Sequence, residues 1–163
     1  MNDTNEIGED FKIVTFTLGQ QMFGIDMRAL TEIREWEEPT PVPGVPSYIL
    51  GVMNLRGSVV PTVGLAERLG WEPSSIHSRS CMLVVSIDGR QAGFLVDEVM
   101  DIVAIRASDV QPTPEVDSIE ATMIGGLVTV KRRVSEGTEA ETMVLLLNMD
   151  ALGLMRPELD QAA

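Results

Sequence analysis

Few residues in this chain are equipped for catalysis. It has one histidine, His77, inside the polar stretch EPSSIHSRS, and one cysteine, Cys81, opening the run CMLVVSI. A nucleophilic triad needs a histidine held by an acid and touching a serine or cysteine. His77 has serines beside it in sequence, but polar loops supply those in any case. Cys81 starts an apolar run, where a thiol is expected to be buried and unreactive, and a lone cysteine excludes an internal disulfide. The best acid pair is Asp97-Glu98, after the apolar segment GFLV. Two carboxylates can act as general acid and base if one pocket holds both and raises a pKa, so a small acidic hydrolase is the enzymatic reading. The competing reading is a strand-end acid accepting backbone hydrogen bonds. The phosphate-cradling patterns GxGxxG and GxxxxGK(S/T) are absent, and Gly125-Gly126 reads as a bend or bulge in a strand. No cluster has metal-ligand spacing, so neither metal nor cofactor is expected.

The remaining conspicuous group is a cation. Arg56 stands in YILGVMNLRGSVVP, between two apolar runs. It can point into water. Alternatively its planar fork grips a carboxylate and ties the turn to another element. Asp26 can cap a short helix, along which Met27, Leu30 and Ile33 recur every three residues, and Glu32 lies beside that stripe. A Glu32–Arg56 pair would join helix to hairpin at the edge of the core. Breaking it is costly if the pair is desolvated and nearly neutral if it is exposed.

These residues need a scaffold of strands. FKIVTFTL alternates, placing Val14, Phe16 and Leu18 on one face, and QMFGID returns after Gly19-Gln20. Pro39, Pro41, Pro43 and Pro46 deny helix and central strand to the next connection. Residues 48–55 and 58–63 read as a hairpin turning at Arg56-Gly57, followed by a helical turn or two in LAERLG. CMLVVSI, apolar on both faces, reads as a buried strand. Asp88-Gly89 is the strongest hairpin turn signal, and RQAGFLVDEV and MDIVAI follow it. PTPEVDSIEA is a loop. MIGGLVTVK and MVLLLN are the last strands, with KRRVSEGTEAET between them as a long, mobile tip. Asn148 is placed to cap a final helix, DALGLM. About nine or ten short strands with few helices favour antiparallel barrels over a βαβ sheet. No internal repeat is obvious.

Composition narrows the partners. Twenty-five acidic residues face twelve Lys and Arg in 163 residues, a net charge of −13. That field repels nucleic acid and anionic lipid, so neither nucleic acid nor direct membrane contact is expected. The basic-then-apolar start of a secretory signal is missing, and no apolar run approaches the roughly 20 residues that span a bilayer. A cytoplasmic protein is expected, with residues 1–10 disordered, a single domain over residues 11–154 and a flexible tail over 155–163.

The segments FTLGQQMFGIDMRALTEIRE, VPGVPSYILGVMNLRGSVVPTVGL, GFLVDEVMDIVAI, IGGLV and MVLLLNMDAL together resemble the CheW-type chemotaxis coupling proteins, in that family's order and spacing. The resemblance runs from Phe11 to Leu154, and GVxNLRGxVVP is its most specific block. It implies an all-β fold of two intertwined, SH3-like, five-stranded barrel lobes with a few short helices. It implies an adaptor without catalysis, joining the cytoplasmic hairpin tip of chemoreceptors to the regulatory domain of the histidine kinase CheA. Such a protein is expected to be a monomer in isolation and to form arrays with its partners, in flagellar chemotaxis or in a related pathway controlling surface motility or a second messenger. Leu30, Ile33, Val99 and Ile102 fall where the family places apolar residues near the receptor groove, although plain core serves equally as a reading. Glu32 and Arg56 match the family's acid and arginine, within a motif that includes Met53, Asn54, Leu55 and Gly57. Two features depart from the pattern: Gly64 replaces the usual Asp, and the tip between Lys131 and Thr142 is longer than usual.

Overall fold

The computed structural model describes residues 10–113 and 123–149. Ten strands are present among the described residues: β1 (Asp10–Leu18), β2 (Gln21–Asp26), β3 (Leu30–Glu35), β4 (Ile49–Leu55), β5 (Ser58–Gly64), β6 (Cys81–Ile87), β7 (Arg90–Val96), β8 (Glu98–Arg106), β9 (Ile124–Ser135) and β10 (Thr138–Leu147). One α-helical turn, α1 (Leu65–Arg68), follows β5. The strands form two five-stranded sheets, in the orders β8-β1-β2-β10-β9 and β3-β6-β7-β5-β4. The all-β expectation therefore holds.

The two orders are one topology written twice. Replacing β3, β4, β5, β6 and β7 by β8, β9, β10, β1 and β2 converts the second into the first. In each sheet the only parallel pairing joins two hairpins: β10 to β2 at Val144–Leu146, and β5 to β7 at Thr62–Gly64. The β3–β7 sheet is continuous in sequence. The other is assembled from both ends of the chain, around that insertion. Such interleaving is a repeat that the sequence reading does not find. Its trace is short: Ile49-Leu50-Gly51-Val52 in β4 and Ile124-Gly125-Gly126-Leu127 in β9. Each edge strand is bridged by the connection that precedes it, Thr40 to Val52 and Gln111 to Leu127. Glycine permits the approach, since a Cβ at Gly51 would lie 2.8 Å from the Thr40 carbonyl carbon and one at Gly126 2.6 Å from Val110 Cγ1.

Three apolar clusters hold the strands. The largest takes Val14, Phe16 and Leu18 of β1 and Phe23 and Ile25 of β2 from one sheet, with Leu83, Val85, Phe94 and Val96 from the other. It is the seam between sheets. Ile13, Met22, Ile105, Val128, Val130 and Val144 fill one lobe, and Met53, Leu55, Val60, Met82 and Val84 fill the other. Strand β6 is buried on both faces, as its sequence predicts: Leu83 and Val85 turn to the seam while Met82 and Val84 turn into their own lobe. Irregular pairings next to the edge strands are repaired by threonines. Thr15 Oγ1 donates to the Asp101 carbonyl at 3.1 Å and accepts from its amide at 3.0 Å, and Thr31 Oγ1 donates to the Val84 carbonyl at 3.0 Å.

The tight turns are as expected. Arg56 and Asp88 both have φ of 52°, followed by Gly57 at 90° and Gly89 at 78°, the left-handed pair of a two-residue hairpin. Two expectations are corrected. The helix after Asp26 is a single 3-10 turn, Met27–Ala29, and Leu30–Glu35 is strand β3. Asp26 does cap that turn, accepting from the Arg28 amide at 2.9 Å. The period of three at Met27, Leu30 and Ile33 imitates a helix, but Thr31 and Ile33 are β-branched, and β6 supplies the hydrogen-bonding partner. The long tip between Lys131 and Thr142 is also not a loop. Both strands continue through it, with Lys131 opposite Glu141 and one register shift between Thr138 and Glu139, and the turn is only Glu136-Gly137. Of the N-terminus expected to be disordered over residues 1–10, Asp10 instead opens β1; residues 1–9, the C-terminal tail, the final helix beyond Met149 and most of the PTPEVDSIEA loop lie outside the described residues.

Gly51 carries a direct test. It combines φ of 153° with the close Thr40 backbone, so Gly51→Ala is expected to lose about 1–3 kcal/mol, seen as a lower urea midpoint with an unchanged slope.

Candidate functional site

The β4–β5 hairpin shows what NLRG does. Met53 and Leu55 point inward and are buried, packing with Val60, Met82 and Val84. Asn54 points outward, and its Oδ1 accepts from the Gly57 amide at 2.8 Å, closing the turn from the side. Arg56 and Gly57 occupy the two left-handed positions. The Arg56 guanidinium is thereby thrown outward, where Nη2 bonds Glu32 Oε2 on β3. Sheet order puts β3 and β4 at opposite edges, so this pair joins the two ends of one curled sheet.

Glu32 serves two cations. Its Oε1 accepts from Arg34 Nη1 at 3.1 Å, and Arg34 also reaches Glu37 at 3.6 Å. The Glu32 side chain is partly covered, with 23% of it exposed, while 68% of Arg56 is in solvent. The pair is therefore not the desolvated kind, and solvent screens it. The Arg56 hydrogen bond, and then that of Arg34, hold the Glu32 carboxyl below the usual carboxylate range, and Glu32 raises Arg56 in return. Arg34 was missed by sequence reasoning. Read as a strand, positions 32 and 34 share a face, and that alternation was the available signal.

The four apolar positions separate into two kinds. Leu30 and Val99 are partly buried against the seam cluster. Ile33 and Ile102 are 46% and 54% exposed. They lie on β3 and β8, which occupy corresponding outer edges of the two sheets. Val59, opposite Asn54 and 71% exposed, is a further apolar surface residue that the sequence reading did not single out.

The acid–base candidates are engaged elsewhere. Asp97 Oδ2 accepts from the Gly19 amide at 2.6 Å, and the Asp97 amide donates to the Thr17 carbonyl at 3.0 Å. Glu98 pairs with Arg79 at 3.4 Å. Asp97 lines a depression of about 350 Å³ with Trp71, Ser74, Ser75 and His77, and Glu98 is not part of its lining. His77 Nδ1 accepts from the Arg79 amide at 3.0 Å within its own loop. Cys81 is half-buried, and burial pushes its thiol pKa up, away from the reactive thiolate. Among the described residues no group of three or more His, Cys, Asp or Glu could hold a metal, and no helix is long and apolar enough to cross a membrane.

The two interleaved β-lobes are a fold shared with known proteins. The family model for the CheW-like domain matches residues 12–154, and the chain belongs to that family. It is 35% identical over 144 residues to a protein of Rhizobium etli named probable chemotaxis protein CheW, covering 88% of this chain and 87% of that one. A chemotaxis protein CheW of Bacillus subtilis is 32% identical over 112 residues, covering 69% and 72%. Among solved structures, the scaffolding protein TtCheW of Thermoanaerobacter tengcongensis superposes with a TM-score of 0.75 at 27% identity, covering 85% of this chain and 84% of that one. Members of the family are scaffolds or adaptors, and this chain is not an enzyme.

The Glu32 pairing carries a pH signature. A carboxyl whose folded pKa is depressed adds stability above its unfolded pKa and loses it as pH falls through the folded value. The gap in urea midpoint between the native chain and Glu32→Gln is therefore expected to narrow as pH drops from about 7 to about 3. Arg56→Ala is expected to raise the Glu32 pKa measured by NMR.

Proposed function

We propose that this chain is a non-enzymatic adaptor of a bacterial chemotaxis array, coupling the cytoplasmic hairpin tips of chemoreceptors to the regulatory domain of the histidine kinase CheA. Membership of the CheW-like family and relatives named chemotaxis proteins support the chemotactic setting over a motility or second-messenger pathway. The single structural observation behind the reading is the exposure of Ile33 and Ile102 on outer edge strands of both lobes. Apolar side chains on such edges suit a partner helix that lays its own apolar stripe across the protein. Leu30 and Val99 form the floor beneath them. The Glu32–Arg56 pair holds the hairpin beside β3 and leaves the guanidinium's outer face free for a polar rim contact. Weak individual contacts are sufficient, because an array multiplies them through effective concentration. The protein acts in the cytoplasm and reaches the membrane only through its receptors, as a monomer until its partners gather it.

Capture of a receptor cytoplasmic fragment is the measurement. Ile33→Asp with Ile102→Asp is expected to weaken capture at least about tenfold, with the melting temperature within a few degrees of the native chain. Full capture by that double variant would remove the proposed surface. Arg56→Ala distinguishes contact from support: lost kinase binding at an unchanged melting temperature marks a direct contact, and a lowered melting temperature marks a hairpin brace.

A further inference from the structure

The loop between α1 and β6 walls a depression of about 350 Å³, lined by Trp71, Glu72, Ser74, Ser75, His77 and Asp97. Its chemistry is one-sided. Two carboxylates and two hydroxyls face it, and no lysine or arginine among the described residues lines it. The aromatic wall is held in place: Trp71 tilts against Phe23 at 5.4 Å, yet 43% of it stays in solvent. The loop is braced from within, since the His77 amide donates to Ser80 Oγ at 2.9 Å and His77 Nδ1 accepts from the Arg79 amide at 3.0 Å. The Asp97 carboxylate is only half used. Oδ2 accepts from the Gly19 amide at 2.6 Å, whereas Oδ1 is enclosed and accepts no hydrogen bond from the described residues. A covered acceptor without a donor costs free energy.

The interleaved topology gives this depression a counterpart at the matching place on the other lobe. Gly19, in the β1–β2 turn, corresponds to Asp88 in the β6–β7 turn. Asp97, leaving β7, corresponds to Arg28, leaving β2. Ala66, following β5, corresponds to Met149, following β10. Gly19, Ala66 and Asp97 line the first depression, and Asp88, Arg28 and Met149 line a second of about 680 Å³. There the chain supplies a guanidinium of its own, with Arg28 Nη2 at 2.7 Å from Asp26 Oδ2. The first depression has acids and no such cation.

We propose that the Trp71–Asp97 depression is a binding site for an arginine side chain of a partner protein, its guanidinium lying on the Trp71 indole and donating to Asp97 and Glu72. A planar fork suits both walls, because it stacks on an aromatic face and matches carboxylate geometry, whereas an ammonium does not stack. A net charge of −13 draws such a group toward the surface. Neither Ile33 nor Ile102 lines the depression, so the site is separate from the helix-binding surface and stands whether or not that reading holds.

Acetyl-arginine amide, titrated into the full chain and followed by NMR, tests this. The Trp71 indole N–H and the Gly19 amide are expected to shift saturably, with half-saturation at or below about 5 mM, and the binding is expected to weaken as salt is raised. Acetyl-citrulline amide, its neutral isostere, is expected to shift neither signal at the same concentrations. Glu72 is exposed, so Glu72→Gln leaves the fold intact and is expected to weaken arginine binding about two- to fivefold. Equal responses to the arginine and citrulline amides, the absence of a saturable shift at both signals, or native affinity in Glu72→Gln would overturn the proposal.

Discussion

One apolar seam governs this molecule. Val14, Phe16, Leu18, Phe23 and Ile25 on β1 and β2 pack against Leu83, Val85, Phe94 and Val96 on β6 and β7, and the largest cluster of the fold lies between the sheets rather than inside either lobe. Phe16 and Phe23 stack at 6.1 Å, and Trp71, reaching over from the loop after α1, tilts against Phe23 at 5.4 Å. The lobe interiors are smaller. Each sheet has a smaller apolar cluster inside its own lobe and shares the larger one with its neighbour, so the two depend on each other for much of their burial, which is the main source of folding free energy. Central strands therefore face the seam. The outer strands β3, β8, β4 and β9 are left at the edges, where a protein either blunts its unpaired backbone or uses it.

Both treatments occur. On β4 and β9 the preceding connections cover part of the edge, at Thr40 and Gln111, close to glycines that allow the approach. On β3 and β8 no such bridge covers the edge among the described residues, and these strands bear Ile33 and Ile102. The Glu32–Arg56 pair sits on the inward-leaning face of the same β3, so one strand both closes its lobe and offers a surface. A bulge between Leu30 and Glu32 divides the tasks: Leu30 and Ile33 lie opposite Val85 and Leu83 on the seam side, Glu32 and Arg34 opposite Val84 and Met82 on the lobe side. A net charge of −13 surrounds these apolar edges. It discourages like molecules from adhering there without partners that bring the right shape and charge.

Local signals were legible in the sequence and long-range ones were not. Asp88-Gly89 and Arg56-Gly57 were readable because a two-residue hairpin needs two left-handed residues, a demand confined to the turn. The double burial of CMLVVSI was readable because a central strand has no polar face to show. Glu32 with Arg56 was anticipated as a pair but from the wrong element. A spacing of three fits a helix and, over so few residues, does not exclude a strand, and only the distant partner β6 decides between them. Met53 and Leu55 could not be separated from Asn54 and Arg56 by motif alone, since the motif mixes core and turn chemistry. The exposure of Ile33 and Ile102 beside the covered Leu30 and Val99 depends on where the sheet edges fall. That is a property of the whole topology.

The nested order of the sheets also sets a schedule. A ribosome releases β3 to β7 as an uninterrupted block, so the inner sheet can complete itself while synthesis is still under way. Hairpin β1–β2 leaves first yet waits for β8, β9 and β10, the last strands to emerge, before both of its edges are matched. During that interval Val14, Phe16 and Leu18 have the finished inner sheet as their shelter. Hairpin β1–β2, first of the described strands, is thus the last to be matched on both edges, and a nascent chain stalled before residue 98 has the strands of one whole sheet and an orphan hairpin.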